Sequence, residues 1–302
     1  EGNNSTLDGG AISNIRGNVQ IHDARFEGSY VIPPTGSNAR GGSIYTYGGN
    51  LNINNTAFNR DYDYPIFPTD AVHDSKGGAI YIGEDPDRAA YGSGRGVSHN
   101  INNSSVNPNS AADFGGSIYI EESTNIFNML FDNLEAQQGS AIFIAANEYE
   151  NTEYEVNIIN CTIVENNTTT EGSGAIYVEE APGQGLDIIN TIIWNNEDVI
   201  GNQKGIAFNP VMDINLNIFH SNIQDNIFDY PENVTLNIAP YVGTENTNQI
   251  GLNPMLDDQN SFRLLEGSPC IDAGTADLNN DGIEDIADTF AQWINEACGT
   301  LE

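Results

Sequence analysis

Short apolar strands recur along this chain in two patterns that alternate with each other. The first is exemplified by KGGAIYI at 76–82, where a Gly–Gly pair precedes a run whose apolar residues alternate. Such alternation predicts a β-strand, because successive side chains of a strand face opposite sides. The residue before the Ala or Ser, or its counterpart in the fainter copy KGIAF, marks each copy: Gly10, Gly42, Gly78, Gly116, Ser140, Gly174 and Gly205. Successive markers lie 24 to 38 residues apart, which indicates constant strands joined by loops of variable length.

The second pattern is an isoleucine, a polar residue two positions later, and an apolar residue three positions after that. The isoleucines are Ile21, Ile53, Ile101, Ile126, Ile158, Ile188 and Ile218. The polar positions are Asp23, Asn55, Asn103, Asn128, Asn160, Asn190 and His220. The last positions are Phe26, Phe58, Val106, Phe131, Ile163, Ile193 and Ile223. Each copy follows one copy of the first pattern, so the sequence predicts seven coils that each carry both.

Strands that recur once per coil, without long helical patterns between them, are typical of a solenoid whose coils stack on one another. We therefore predict an all-β fold, a right-handed parallel β-helix of seven or more coils over residues 1–250. The isoleucines should form one inward column, and the corner asparagines should bond to one another along the stack. The Gly–Gly pairs should supply corners that need positive φ and leave no room for a Cβ.

The two patterns together resemble the repeats of chlamydial polymorphic outer-membrane proteins and of many secreted right-handed β-helix proteins. The likeness covers roughly residues 8–226 and pairs GGA(I/S) with an FxxN-like phrase. Several copies replace the Phe of that phrase by Ile, as in IVEN at 163–166 and IWNN at 193–196. The resemblance implies surface exposure and adhesion.

After residue 226 the repeat fades, and residues 251–302 are predicted to cap the stack. The segment NPMLDDQNSFRLLEGSPCIDAG at 253–274 resembles a tail with an SPxIDxG motif that is common in secreted bacterial β-helix proteins. A covering segment is needed because the last coil of a solenoid exposes apolar core and strand edges. Cys270 and Cys298 flank this segment and could form a disulfide in an oxidising compartment. Cys161 is expected to be a single packed thiol.

A calcium site is predicted within the cap, in DLNNDGIEDIAD at 277–288. Oxygen ligands fall at positions 1, 3, 5, 7, 9 and 12 of this twelve-residue loop, with Gly282 at position 6 for the sharp turn. They are Asp277, Asn279, Asp281, the carbonyl of Ile283, Asp285 and Asp288. The terminal Asp makes the loop resemble one loop of a dockerin. The residues that follow, 286–297, carry apolar side chains at helical spacing, so we expect a short helix packed on the cap.

Charge narrows the range of partners. The chain has 43 acidic and nine basic residues, a net charge of −34, and such a field repels nucleic acid and other polyanions while attracting cations. The chain contains no run of 18 apolar residues, so we expect no membrane-spanning segment. The sequence begins without a leader pattern, and we interpret it as a mature segment of a longer exported precursor, secreted or at the cell surface.

The longest insertions, 59–75 and 83–96, are rich in Tyr, Asp, Pro and Gly. Because function on a repetitive scaffold concentrates in such loops, we predict a ligand surface there for polysaccharide or another cell-surface component. Its residues are Tyr62, Asp63, Tyr64, Asp70, His73 and Tyr91.

Catalysis is the alternative, because β-helix folds include polysaccharide lyases and glycoside hydrolases. Hydrolysis needs two carboxylates at a defined separation, and a lyase needs a base near the abstracted proton. The nine basic residues are scattered in sequence, and no acid/base phrase stands out. We expect His22 and His220 to be structural at the strand corners, whereas His73 and His99 lie in or after the longest insertions. The expected function is therefore adhesive or structural, with a lyase or hydrolase left open.

Overall fold

The computed structural model describes residues 4–5, 8–31, 39–59, 75–84, 99–107, 112–146, 154–180, 185–211, 213–224, 230–237, 249–250, 252–257 and 262–271. Within these ranges every regular element is a β-strand, and they contain no helix. Nearly all the strands belong to three large sheets in which each strand pairs in parallel with its counterpart in the next repeat. This stacking is consistent with a parallel β-solenoid.

The first sheet, here called the Ile sheet, carries the isoleucine of the second sequence pattern. Its eight strands, in spatial order, are β3 (Val19–His22), β7 (Leu51–Asn54), β10 (His99–Asn102), β14 (Thr124–Phe127), β18 (Glu155–Ile159), β22 (Gly185–Ile189), β25 (Ile214–Phe219) and β27 (Val234–Asn237). The seven predicted isoleucines face one another rung by rung from Ile21 to Ile218. Each is at most 8% exposed, which confirms the predicted inward column.

The second sheet, here called the Phe sheet, carries the apolar residue at the end of that pattern. Its strands are β4 (Arg25–Glu27), β8 (Ala57–Asn59), β11 (Ser105–Asn107), β15 (Leu130–Asp132), β19 (Thr162–Val164), β23 (Ile192–Trp194), β26 (Asn222–Ile223) and β28 (Gln249–Ile250). Phe26 to Ile223 lie in one register, as predicted. Phe26 and Phe58 stack with their ring centroids 5.0 Å apart.

The third sheet, here called the Gly sheet, is built by the Gly–Gly pattern. Its strands are β2 (Ile12–Ile15), β6 (Ile44–Tyr47), β9 (Ile80–Gly83), β13 (Ile118–Ile120), β17 (Ile142–Ile144), β21 (Ile176–Val178) and β24 (Ile206–Phe208). Ile176 pairs with Ile206, so Ala175, and not Gly174, corresponds to Gly205. The sequence alignment of this last copy was therefore wrong by one residue.

Two smaller sheets complete the described architecture. The strands β12 (Ala112–Phe114), β16 (Glu135–Gln138) and β20 (Asn167–Thr168) form a short parallel sheet, and β1 (Asn4–Ser5) pairs with β5 (Tyr30–Val31). Isoleucines of all three large sheets meet in one buried cluster. That shared core joins the stacked repeats into one body.

Left-handed backbone conformations form the corners of the stack. The corner between the Ile and Phe sheets is made by the seven predicted polar residues, Asp23 to His220, at φ between 47° and 54°. Asn and Asp tolerate this region better than other side chains, which explains their repetition. At Gly77, φ is 65° and a Cβ would lie 2.2 Å from the oxygen of Ile80. At Gly42 a Cβ would lie 2.1 Å from the oxygen of Gly78, so the predicted lack of room is confirmed.

The tail that follows the sheets packs beside the last strands. Leu256 and Leu264 form an antiparallel bridge, and Asn222 donates a hydrogen bond to the Leu252 carbonyl at 3.0 Å. Cys270 is a free thiol, and Cys298 lies outside the described residues. Cys161 is buried and free, as expected, with its sulfur 3.3 Å from the Ile159 carbonyl oxygen. No helix in the described ranges is long and apolar enough to cross a membrane.

Candidate functional site

Both sites predicted from the sequence lie outside the described residues. This holds for the calcium ligands Asp277, Asn279, Asp281, Ile283, Asp285 and Asp288, and for the predicted helix after them. It also holds for the loop surface of Tyr62, Asp63, Tyr64, Asp70, His73 and Tyr91. In the part of the chain that the structure does describe, no group of three or more His, Cys, Asp or Glu side chains has the arrangement of a metal site.

A groove runs along the outer corner between the Ile sheet and the Phe sheet, and we call it the corner groove. Its cavity volume is about 540 Å³. Its described lining comes from five successive repeats and the tail: Asp23, Ala24, Arg25, Asn55, Thr56, Ala57, Asn103, Ser104, Ser105, Asn128, Met129, Leu130, Asn160, Thr162 and Phe262. The groove therefore extends along the stack, and equivalent residues recur in it at each step.

Three amides of the corner groove, those of Asn55, Asn103 and Asn128, are oriented by hydrogen bonds between repeats. Asn128 donates to the Oδ1 of Asn103 at 2.7 Å, and Asn55 donates to the Oδ1 of Asp23 at 2.6 Å. Asn103 donates instead to Asn54, the residue beside its counterpart, at 3.0 Å. The predicted corner ladder is thus present at Asp23–Asn55 and Asn103–Asn128 and offset by one residue between them.

A row of small polar side chains follows the same corner, and its members Thr56 and Ser104 line the groove. Thr56, Ser104, Thr191 and Ser221 occupy equivalent positions, and each hydroxyl donates to the carbonyl two residues earlier at 2.7 to 3.1 Å. The same hydroxyl accepts from the backbone of the preceding repeat, as when Thr56 N–H donates to Ser104 Oγ at 3.0 Å. Because the Ser104 hydroxyl is bonded both within its own repeat and to Thr56 of the preceding repeat, this part of the groove is held in place.

Phe262 brings an aromatic ring to the groove from the tail. Its φ is 45°, a conformation that is rare for a bulky side chain and is retained where the surroundings enforce it. The side chain is half-buried. The sequence placed Phe262 within the tail motif but gave no signal that it reaches the corner, because the tail lies outside the repeat register.

A second ladder, also of amides, follows the outer face of the Ile sheet and was not anticipated. Asn100 donates to Asn52 at 2.8 Å, Asn125 to Asn100 at 2.9 Å, and Asn157 to Asn125 at 3.0 Å. The signal for it was the polar position between two apolar residues in phrases such as LNIN at 51–54. Together the two ladders cover this side of the protein with ordered amides.

The outer face of the Gly sheet carries a stack of aromatic rings. Neighbouring rings lie 5.2 to 5.3 Å apart at interplanar angles of 4° to 16° through Tyr45, Tyr81, Tyr119, Phe143 and Tyr177. Arg40 lies 5.1 Å from the centroid of the Tyr45 ring, and Lys76 lies 4.6 Å from that of Tyr119. Both contacts have cation–π geometry.

The basic residues are scattered along the sequence, but Arg40 and Lys76 lie close together in the structure. The two residues face each other in a parallel bridge of adjacent repeats. Each has an acidic partner: Arg40 Nε is 2.7 Å from Asp8, and Lys76 Nζ is 3.9 Å from Glu121. The stack therefore places two of the few cations of this acidic chain beside one aromatic face.

Glu121 connects several groups of the aromatic face through hydrogen bonds. It accepts a hydrogen bond from the hydroxyl of Tyr81 at 3.0 Å and one from the backbone of Glu84 at 3.2 Å. Burial first, and then the charge of Glu121, raise the pKa of Tyr81 and of Tyr119 above that of an ordinary phenol. Both phenols therefore stay protonated at neutral pH and act as hydrogen-bond donors, not as bases.

His99 follows the insertion at 83–96, as the sequence indicated, and it lies in the core of the fold. It begins β10 and is fully buried at an inward position of the Ile sheet, in register with Thr124. Its Nε2 is 3.2 Å from Glu122 Oε2, and Glu122 is 1% exposed. A buried pair of this kind inside the core has no access to substrate, so its role is structural.

Comparison with protein-family models, with curated proteins and with solved structures gives no match for this chain. The function must therefore be inferred from the geometry of the corner groove and of the aromatic face.

Proposed function

We propose that this chain is an extracellular or cell-surface module with an adhesive or structural role, in contact with polysaccharide or another surface component. The scaffold in this proposal is a right-handed parallel β-helix of at least seven coils over residues 1–250. A calcium-bearing cap over residues 251–302 would close it.

The observation that carries the proposal is the corner groove. It is long, combines polar with apolar side chains, and carries hydrogen-bonded amides on a scaffold whose strands hold equivalent residues in register. Binding to preordered groups loses less conformational entropy than binding to mobile ones. A surface of this kind suits a repetitive ligand that lies along the stack.

The calcium part of the proposal rests on the oxygen pattern of residues 277–288. Asp and Asn oxygens at alternate positions around a glycine fit the hard ligands that Ca²⁺ prefers, and extracellular sites of this type bind at millimolar calcium. Calcium also suits a protein whose net charge is −34, since the cation offsets local repulsion among carboxylates.

The alternative, a polysaccharide lyase or glycoside hydrolase, would draw its acid and base groups from Lys76, Glu121 and the phenols of Tyr81 and Tyr119. A lyase needs a group that accepts a proton. Burial raises the pKa of Tyr81 and of Tyr119, so these phenols are poor proton acceptors at neutral pH. Lys76 is three-quarters buried, and its Nζ lies 3.9 Å from Glu121 Oε1. These features favour a structural role for the aromatic face.

One experiment separates the two functions. The protein is incubated in calcium-containing buffer with alginate, polygalacturonate and neutral glycans, and both retention on the polymers and release of unsaturated or reducing ends are measured. Binding without product release is the expected result. Product release that is lost in both Lys76→Ala and Tyr119→Phe would establish the enzyme instead, and absence of binding to every polymer would refute the polysaccharide contact.

A further inference from the structure

We infer that the corner groove is the binding site for a neutral, hydroxyl-rich polysaccharide whose chain runs along the stack axis. This inference rests on the proposed function and adds the site, the direction of the ligand and its charge class. It places recognition on the corner asparagines, whereas the sequence pointed to the insertion loops.

The spacing of the groove suits a polymer. Stacked strands lie about 4.8 Å apart, so the corner amides of successive repeats recur at about that interval. The amides Asn55, Asn103, Asn128 and Asn160 all line the same cavity. An extended polysaccharide advances by a similar distance per sugar, so one sugar can meet one repeat throughout the groove.

The hydrogen-bonding capacity of these amides matches hydroxyl groups. An asparagine amide has two donor hydrogens and an oxygen with two acceptor sites. The ladder contact between Asn128 and Asn103 uses one donor and one acceptor, which leaves further capacity on each amide. Asn55 and Asn128 are exposed, and sugar hydroxyls can both donate to and accept from them.

Charge decides between neutral and anionic polymers. Asp23 and Arg25 are the charged side chains among the described lining residues, and both belong to the first repeat of the groove. Arg25 is within 2.6 Å of Glu27, so its charge is already matched. With a net charge of −34 on the chain, a uronate polymer would meet repulsion, and the other described lining residues of the groove offer no compensating cation.

Phe262 supplies the apolar element of the site. A ring at the wall of the groove can cover the apolar face of a sugar while the amides bind its hydroxyls, as in ligand sites that combine aromatic walls with a few polar groups. Its half-buried ring and enforced backbone keep this surface in place. We therefore expect Phe262 to contribute affinity independently of the amides.

The test uses Asn103→Gly/Asn128→Gly. Glycine keeps the positive φ of both corners and removes both amides. The matched control is Asn195→Gly, because Asn195 has φ of 57° at the other strand corner and is absent from the described groove lining. A third variant, Phe262→Leu, keeps apolar bulk and removes the ring.

Affinity is measured by calorimetry against soluble β-glucan, xylan, glucomannan and galactan, with polygalacturonate as the polyanionic comparison and thermal melting as the folding check. We expect the wild type to prefer a neutral polymer and the double glycine variant to lose about tenfold in affinity, from two hydrogen bonds. Asn195→Gly should bind as the wild type does. Phe262→Leu, compared with the wild type, should weaken binding by a few-fold.

Three results would overturn the inference in distinguishable ways. Neutral binding that is equal in the wild type and the double glycine variant would leave the proposed function standing and remove the groove as its site. Tighter binding of polygalacturonate would overturn the charge class. A wild type that binds none of the five polymers would overturn this inference together with the polysaccharide contact of the proposed function.

Discussion

The side-chain amide of Asn166 donates a hydrogen bond to the Oδ1 of Asn196, 2.8 Å away in the next repeat. Neither residue is exposed to solvent. Asn166 also donates to the Phe131 carbonyl at 3.2 Å and accepts from the Leu134 backbone at 3.0 Å. One buried amide therefore satisfies backbone groups that belong to the preceding repeat.

Removal of this amide should be costly. Asn166→Ala leaves the Phe131 carbonyl and the Leu134 N–H without this partner in the core, and we expect a loss of about 3 kcal/mol, since each unsatisfied buried group costs about 1–3 kcal/mol. Chemical denaturation measures the change. The control is Asn215→Ala, at an exposed strand position. An equal loss of stability in both variants would show that burial of the Asn166 amide does not matter.

The glycine corners predict a difference between two alanine substitutions. Gly77→Ala places a Cβ 2.2 Å from the Ile80 oxygen, whereas Gly201→Ala, at φ of 80°, meets nothing within 4 Å. Both variants carry the cost of a left-handed alanine, about 1–2 kcal/mol. Melting temperatures should therefore fall clearly further for Gly77→Ala, and similar melting temperatures would contradict the steric argument.

The inward column predicts a large effect from a single truncation. Ile158 is fully buried between Ile126 and Ile188, so Ile158→Ala should destabilise the protein by about 2–5 kcal/mol through lost burial and a residual cavity. Ile200 is 60% exposed, and Ile200→Ala should change stability by no more than about 0.5 kcal/mol. Denaturation midpoints of the two variants test the column directly.

Asp132 gives a prediction for pH. Burial, followed by the charge of Glu165, raises the pKa of Asp132 from 3.8 to about 6. Between these values the folded protein binds the proton more tightly than the unfolded chain, so the contribution of Asp132 to stability falls as the pH rises through this window. Asp132→Asn should remove that fall and stabilise the protein above pH 6.

Asp213→Asn is the matched control, because it makes the same charge change at an exposed position. Thermal melting from pH 3.5 to 7.5 compares both variants with the wild type. The advantage of Asp132→Asn should appear as the pH rises past 4 and level off above about 6. Parallel curves for the two variants would show that total charge, and not the site of Asp132, governs the response.

The predicted calcium loop can be tested by its effect on thermal stability. Binding to the folded state alone stabilises by about 2.7 kcal/mol when calcium is a hundredfold above its dissociation constant. Melting with and without chelator should show this gain, and Asp281→Ala should abolish most of it. Glu284→Ala changes position 8 of the loop, which supplies no predicted ligand, and should retain the gain. A chelator without effect on wild-type melting would reduce the segment to an acidic turn.

The inward columns could be predicted because burial in this fold is dictated locally. Ile53 and Phe58, for example, belong to one short phrase that every repeat restates, and the structure keeps their spacing. The last Gly-sheet copy was aligned wrongly because its glycine was matched and not its isoleucine. Ile206 pairs with Ile176 at the equivalent position of the stack, and core packing, which needs the apolar side chain, sets the register.

The candidate site was less accessible to sequence reasoning. Arg40 and Lys76 become neighbours because each precedes a Gly–Gly pair, a relation that appears only when the repeats are compared position by position. His99 takes an inward position that other repeats give to Val19, Leu51 and Val156. Because histidine is polar, the sequence pattern did not indicate that its side chain faces the core. Phe262 lines the groove because of the path of the tail, and the repeat pattern contains no information about that path.

The parallel register also determines how the protein bears mechanical force. Backbone bonds such as Asn103 N–H to the Phe127 carbonyl, at 3.0 Å, join adjacent repeats, and bonds between stacked strands lie across the strands and hence along the stack. A pull along that direction strains the rungs in series, so the weakest end gives way first. Each rupture then frees one repeat of 24 to 38 residues, and the molecule extends in steps, as a tether that lengthens under load without losing the coils still stacked behind the break.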